Sequence, residues 1–100
     1  RGLKVQQFEI ADIVSPTHGH DSGTLLFILK LEGGYAWLVD GKHRPLERPK
    51  KKNLRHIRRV GRTACPTAEK IRRGEPVTDR EIRRALARFA SGANEDEGGM

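Results

Sequence analysis

Hydrophobic residues follow a strand-like period in the first half of the chain and a helical period near its end. Apolar positions within residues 8–14 surround a first strand, and a loop is expected to begin at Ser15. Residues 25–31 are apolar except for one lysine, which predicts a buried strand. The glycines at 33–34 favour a tight hairpin, because glycine tolerates the positive φ of such turns. Residues 35–39 then alternate as a third strand.

Two further strands are predicted before residue 62. Asp40-Gly41 has the composition of a hairpin turn, so residues 43–47 are expected to return antiparallel, with their proline placing them at a sheet edge. Residues 49–53 are expected to form a turn or a single helical turn. Residues 54–60 are expected to form the fifth strand, although apolar residues spaced by three also fit a helix there.

This rhythm predicts a mainly β fold. Five short strands with tight turns in about 55 residues are typical of a small barrel, which we place at residues 1–62. Its interior is expected to contain Val14, Leu26, Ile28, either Trp37 or Leu38, and Val39.

The last third of the chain predicts a C-terminal amphipathic α-helix. Thr78 and Glu81 have the spacing of a capping box. The apolar stripe that follows consists of Ile82, Ala85, Leu86, Phe89 and Ala90. Residues 63–91 are therefore expected to be a helical extension that packs on the barrel or on a short helix at 67–73. Residues 92–100, acidic and glycine-rich, are predicted to be disordered.

The positive charge is concentrated in one stretch. The chain has 20 lysine and arginine residues against 13 acidic ones, a net charge of +7, and residues 42–62 alone hold ten basic side chains and one acidic. This density favours a polyanionic partner, with a nucleic acid preferred and a solvated basic face as the alternative. An acidic membrane surface is not expected, because the stretch lacks an amphipathic apolar face. The predicted RNA contacts are His20, Lys42, Arg44, Arg48, Lys50, Lys51, Lys52, Arg55, Arg58 and Arg59.

The types of these residues indicate how they would bind. Lysine ammonium groups suit point-charge contacts to phosphates, and arginine guanidinium groups suit bidentate contacts or stacking on an unpaired base. Tyr35 and Trp37 could also stack on bases, but aromatic residues in strands more often pack in the core or at its rim.

Several classes of function are not expected. No run of 18 apolar residues could form a membrane-spanning helix, and no secretory signal is recognised. The single cysteine, Cys65, excludes an internal disulfide and fits a reducing, cytoplasmic location. The histidines lack metal-ligand spacing, and the chain shows no nucleophile paired with a base. We therefore expect no metal, no cofactor, no small-molecule substrate and no catalytic residues.

A predicted strand at 11–15 is followed by a loop at 19–23 of the form G-x-D-x-G and then by the apolar strand. This arrangement resembles a KOW motif, the strand–loop–strand signature of ribosomal proteins and transcription elongation factors. The loop positions that carry the resemblance are Gly19, Asp21 and Gly23. The family often has Gly-Asp before the first valine and lysines in the loop, whereas this chain has Ala11 before Asp12, and histidine and serine in the loop.

The order of elements extends the resemblance over about residues 9–60. Residues 38–41 followed by a basic stretch at 44–48 resemble the KOW-containing large-subunit ribosomal proteins and their small bacterial relatives. The resemblance implies an SH3-like five-stranded barrel that binds RNA and associates with ribosomal RNA or the translation machinery, with ribosomal proteins as further candidate partners. The alternative is a protein-interaction module, because such barrels also dock on RNA polymerase or on other proteins.

Overall fold

The computed structural model describes residues 7–19 and 23–92 and contains a five-stranded antiparallel sheet followed by two helices. The strands are β1 (Ile13–Pro16), β2 (Leu26–Glu32), β3 (Tyr35–Val39), β4 (Lys50–Asn53) and β5 (Ile57–Gly61). A 3₁₀ turn (Leu54–His56) separates β4 from β5, and the helices are α1 (Pro66–Arg73) and α2 (Asp79–Ala90). The predicted RNA contact His20, the KOW-loop residue Asp21 and all of the predicted disordered tail except Gly92 lie outside the described residues.

The sheet is a meander whose last strand returns to its first. The strand order is β4-β3-β2-β1-β5, and β5 pairs antiparallel with β1, placing Ile57 opposite Pro16. β1 therefore extends through Ser15 and Pro16, where the sequence predicted the start of a loop. The register shifts between Ile28 and Lys30 in β2 and again where β1 meets β5, and such bulges bend and twist a sheet.

The predicted hairpin between β2 and β3 is confirmed. Gly33 and Gly34 have φ values of 58° and 84°, and Glu32 lies opposite Tyr35. Both turn residues take a conformation that favours glycine, which fixes the register of the two strands.

Apolar side chains are buried on both faces of the sheet. One cluster contains Val14, Leu26, Ile28, Ala36, Leu38 and Ile57. The other, between the sheet and the helices, contains Ala11, Ile13, Phe27, Val39, Ala68, Ile71, Ile82 and Leu86. Val39 is thus not in the cluster predicted for it, because neighbouring residues of a strand point to opposite faces and Leu38 occupies the first cluster. Trp37, the alternative to Leu38, belongs to neither cluster of the described residues.

The predicted fourth strand at 43–47 is wrong, and Lys50–Asn53 forms the strand instead of the predicted turn. Asp40 Oδ1 accepts hydrogen bonds from the backbone N–H groups of Lys42 and Arg44, each at 2.8 Å. The Arg44 carbonyl in turn accepts from the Asp40 N–H at 3.0 Å. An aspartate that binds nearby N–H groups in this way closes a loop rather than starting a hairpin.

The same loop is held against the start of α2. Leu46 N–H donates to Asp79 Oδ1 at 2.8 Å, and Arg83 Nη1 donates to the Gly41 carbonyl at 2.8 Å. Gly41 has a φ of 78°, and a Cβ at this position would lie 2.3 Å from the backbone oxygen of Asp79. The close approach requires glycine. It keeps this segment in a loop against α2, so the fourth strand begins only at residue 50.

α2 begins with the predicted capping box. The Glu81 N–H donates to Thr78 Oγ1 at 3.1 Å, and the Thr78 N–H donates to Glu81 Oε1 at 2.9 Å. Ile82 and Leu86 are buried against the sheet, in the same cluster as Phe27. Within the described residues no helix has the length and apolarity needed to cross a membrane.

Candidate nucleic-acid interface

Three successive lysines occupy β4, an edge strand of the sheet. Lys51 lies opposite Trp37 on one face, whereas Lys50 and Lys52 lie on the other face, opposite buried residues of β3. The aliphatic part of a lysine can cover apolar surface while its ammonium group stays in water. Lysines also keep an exposed edge from pairing with another chain. The three charges therefore line both sides of one edge rather than forming a single cluster.

Basic residues continue beyond β4 into the 3₁₀ turn and the start of β5. Arg55 and Arg58 are exposed, and the Arg55 N–H is capped by Asn53 Oδ1 at 2.9 Å. We call the following five side chains the cationic edge: Lys50, Lys51, Lys52, Arg55 and Arg58. Across the described part of the chain, none of the five forms an ion pair with a carboxylate. Their charge therefore remains available to an anionic partner.

Arg59, also predicted to contact RNA, is bound by groups of the protein itself. Its Nη1 donates to the Gln7 carbonyl and lies 3.9 Å from Asp12 Oδ2. It is half-buried, whereas its neighbour Arg58 is exposed. The structure thus separates two adjacent arginines that the sequence could not tell apart.

Asp12 is the reason for this difference. Its carboxylate is fully buried, and it accepts from the Glu9 N–H at 2.9 Å and from Arg62 Nε at 2.6 Å. The hydrogen bond to Asp12 is the largest of the effects that raise the pKa of Arg62 above its usual value. A buried carboxylate needs such partners. Asp12 therefore neutralises arginines that a charge count from the sequence would assign to the surface.

The first basic residues of the stretch lie beside α2 rather than on β4. Lys42, exposed, borders a shallow apolar depression together with Arg83 and the end of α2. Arg44 is half-buried in the loop that Asp40 closes. Arg48, also exposed, sits at the end of this loop, just before β4.

The loop that carries the KOW resemblance starts next to the basic 3₁₀ turn. The Thr17 N–H donates to the His56 carbonyl at 2.9 Å, and the His18 and His56 rings meet edge-on with their centroids 6.1 Å apart. Gly19 and Gly23, at the two ends of the loop, are exposed and both have a φ of 90°. Sequence reasoning did not select His18 or His56, since only the pairing of β1 with β5 brings them together.

Lys30 is a further cation near these strands that sequence reasoning did not select. It belongs to the acidic half of the chain, but the shifted register of β2 places it opposite Trp37, with its Nζ 4.7 Å from the centroid of that ring. Lys51 Nζ lies 4.6 Å from the Tyr35 ring centroid and 5.5 Å from that of Trp37. Two lysines therefore flank two aromatic rings on the outer face of β3.

Potential metal ligands are not clustered in the described residues. In that part of the chain no group of three or more His, Cys, Asp or Glu side chains is placed to hold a metal ion. Cys65 is half-buried immediately before α1.

No protein-family model matches the chain, and no curated protein matches it significantly. Function is therefore inferred from the residues and their placement.

Proposed function

We propose that this protein is a non-enzymatic, cytoplasmic RNA-binding protein of the KOW type that contacts ribosomal RNA or the translation machinery through the cationic edge. The observation that carries the proposal is that all five side chains of this edge are without a carboxylate partner in the described part of the chain. Uncompensated like charges repel one another, and a phosphate backbone relieves that repulsion.

The chemistry of the edge suits the backbone of a folded RNA. Structured RNA offers mainly its phosphates, its 2′-hydroxyls and its shape, because the deep major groove hides the base edges. Lys51 can approach a phosphate from the outer face of the strand. Lys50 and Lys52, which lie on the face of the first apolar cluster, would reach phosphates at the rim with their ammonium groups. Arg55 and Arg58 can each engage one phosphate through two parallel N–H donors.

The topology supports an SH3-like barrel as the frame of this surface. β5 pairs with β1, and the short 3₁₀ turn leads directly from β4 to β5. Curling of the bulged sheet would bring these two edge strands towards each other, with the first apolar cluster inside.

Ala11 supports the resemblance to the KOW family. It has a φ of 73°, a conformation that favours glycine, and KOW motifs often have glycine at this position. The Ala11 N–H donates to the Ile28 carbonyl at 2.8 Å, and the Ile28 N–H donates to the Asp12 carbonyl at 3.0 Å. The left-handed residue thus turns the chain into β1 and positions the buried aspartate.

Two matched variants distinguish a specific role of the cationic edge in RNA binding from an effect of net charge. The edge variant carries Lys50→Gln, Lys51→Gln and Lys52→Gln. The helix variant, which loses the same three charges, is Lys70→Gln, Arg72→Gln and Arg73→Gln; each of these side chains is hydrogen-bonded to a glutamate. The helix variant also leaves those glutamates without their basic partners. If RNA binding depended only on net charge, it would be weakened in the helix variant at least as much as in the edge variant.

The experiment is crosslinking in cells of the full chain and both variants, followed by sequencing of the attached RNA. We expect reads from the wild type and the helix variant to concentrate at one or a few ribosomal RNA positions, and reads from the edge variant to be strongly reduced. Equal recovery from both variants would contradict the role of the edge. Nuclease-resistant capture of one protein, without RNA, would instead support a protein-docking module.

A further inference from the structure

The only tryptophan and the only tyrosine of the chain share one face of β3. Tyr35, Trp37 and Val39 point the same way along the strand. Val39 is fully buried in the cluster beneath the helices, whereas Tyr35 is 38% exposed and Trp37 is half-buried. The helical layer thus covers one end of this face, and the other end has an exposed Tyr35 beside a partly covered Trp37.

Packing in the two apolar clusters does not explain the position of these rings. Neither Tyr35 nor Trp37 belongs to the two apolar clusters of the described residues or to the partly buried groups packed against them. Lys30 and Lys51 lie over the rings, and Glu32 lies opposite Tyr35 on the neighbouring strand. A cation over an exposed ring contributes only about 0.5–1 kcal/mol. Large aromatic rings held by a rigid sheet and kept outside the core are suited to stacking on a ligand.

The contacts that hold the lysines over these rings are weak. Lys30 is paired with Glu32 at 3.2 Å, but the two side chains are 57% and 66% exposed, so water screens this contact and it contributes little. Lys51, over Tyr35, has no carboxylate partner among the described residues. Both ammonium groups can leave the ring faces and still contact phosphates on either side of a stacked base.

We propose that the outer face of β3 is a binding site for unpaired nucleotides, in which a base stacks on Trp37 or Tyr35 while Lys30 and Lys51 contact the flanking phosphates. This inference rests on the proposed RNA binding, and Lys51 connects the two surfaces because it also belongs to the cationic edge. Stacking accepts any base, since every base has a π face. The RNA would therefore carry a single-stranded segment beside the part held by the edge.

Trp37 provides the test, because it is the only tryptophan and its fluorescence reports on its own ring. The full chain is titrated with a 12-nucleotide oligouridylate and with an abasic strand that has the same phosphates. We expect the oligouridylate to quench the fluorescence of Trp37 and the abasic strand to bind more weakly without quenching. Binding of both strands with equal affinity and no quenching would overturn the stacking site.

Variants give a second readout. Trp37→Thr should weaken binding of the oligouridylate about 10- to 100-fold while leaving the salt dependence unchanged, because no phosphate contact is lost. Trp37→Phe keeps an aromatic ring and should retain most of the affinity. Thermal unfolding of both variants checks that they fold, as expected for a side chain outside the core clusters.

The outcomes separate this inference from the proposed function. Salt-dependent binding that Trp37→Thr leaves intact would refute the stacking site and retain the cationic edge. No binding of either strand, and no binding of structured ribosomal RNA, would refute both. Capture of a protein partner that Trp37→Thr abolishes, with RNA binding unchanged, would assign the aromatic face to protein contact and refute the stacking site.

Discussion

β4 and β5 both carry clustered basic side chains, but the two strands use them differently. The lysines of β4 have no carboxylate partner among the described residues, whereas Arg59 of β5 and Arg62 just beyond it converge on Asp12. Arg58, between these groups, is exposed. Charge density along a sequence therefore does not measure the charge that a surface offers, because a buried carboxylate can neutralise part of it from within.

Topology explains the contrast. β5 returns to pair with β1, and Arg59 lies opposite Val14, close to the buried aspartate that precedes β1. β4 pairs with β3, whose residues 35–39 include no acid. The strand beside a buried carboxylate contributes arginines to the fold, whereas the lysines of the edge strand have no carboxylate partner among the described residues.

The largest expected effect is on stability and comes from removing the buried carboxylate of Asp12. Asp12→Ala should lower the free energy of unfolding by about 2–4 kcal/mol, because the Glu9 N–H and the arginines lose a buried acceptor. Urea unfolding measures this change. RNA affinity of the folded variant should not fall, since the cationic edge is untouched. Wild-type stability in this variant would show that Asp12 does not anchor the arginines.

A smaller effect is expected for the two adjacent arginines of β5, which should differ in their roles in stability and RNA binding. Arg59→Gln should lower the free energy of unfolding by about 1 kcal/mol and leave the salt dependence of RNA binding unchanged. Arg58→Gln should leave stability unchanged and reduce the slope of log K against log salt by about 0.7–0.9, as expected for one lost phosphate contact. Unfolding and salt titrations on both variants decide between these roles. The reverse pattern would contradict the division between the two arginines.

The smallest effect concerns an ion pair between the helices, far from RNA in this account. A hydrogen bond from Lys70, supported by the Thr78 backbone N–H, lowers the pKa of Glu81 below its usual range. A carboxyl with a lowered pKa stabilises the fold fully at neutral pH, and this contribution is lost as the pH falls through that pKa. The melting temperature of the wild type should thus exceed that of Glu81→Gln at pH 7, and the difference should vanish in acid. A pH-independent difference would refute this assignment.

Local patterns made part of the fold predictable. The glycines at 33–34, the alternation along 35–39 and the capping box from Thr78 each depend on residues close in sequence. The fourth strand could not be found in this way. Its position depends on Asp40 closing a loop and on Gly41 packing against α2, a contact between residues far apart in the chain.

The candidate site was predictable in outline only. A charge count locates the basic stretch, but the hydrogen bond from Arg62 to Asp12 spans 50 positions, so no local pattern reveals which cations are neutralised. Lys30 joins Trp37 only through the register shift in β2. Alternation predicts that Trp37 and Val39 share a face, but it does not show where the helical layer above that face ends.

The most direct test of the account is the salt dependence of RNA affinity for the wild type and the two matched triple variants. Between about 50 and 200 mM salt, wild-type affinity should fall on the order of a hundredfold. The edge variant should lose about 2–3 units of slope in log K against log salt, as expected for three lost phosphate contacts, and the helix variant should keep the wild-type slope. A flat wild-type response, or equal slopes for the two variants, would contradict the claim that RNA is held by the cationic edge.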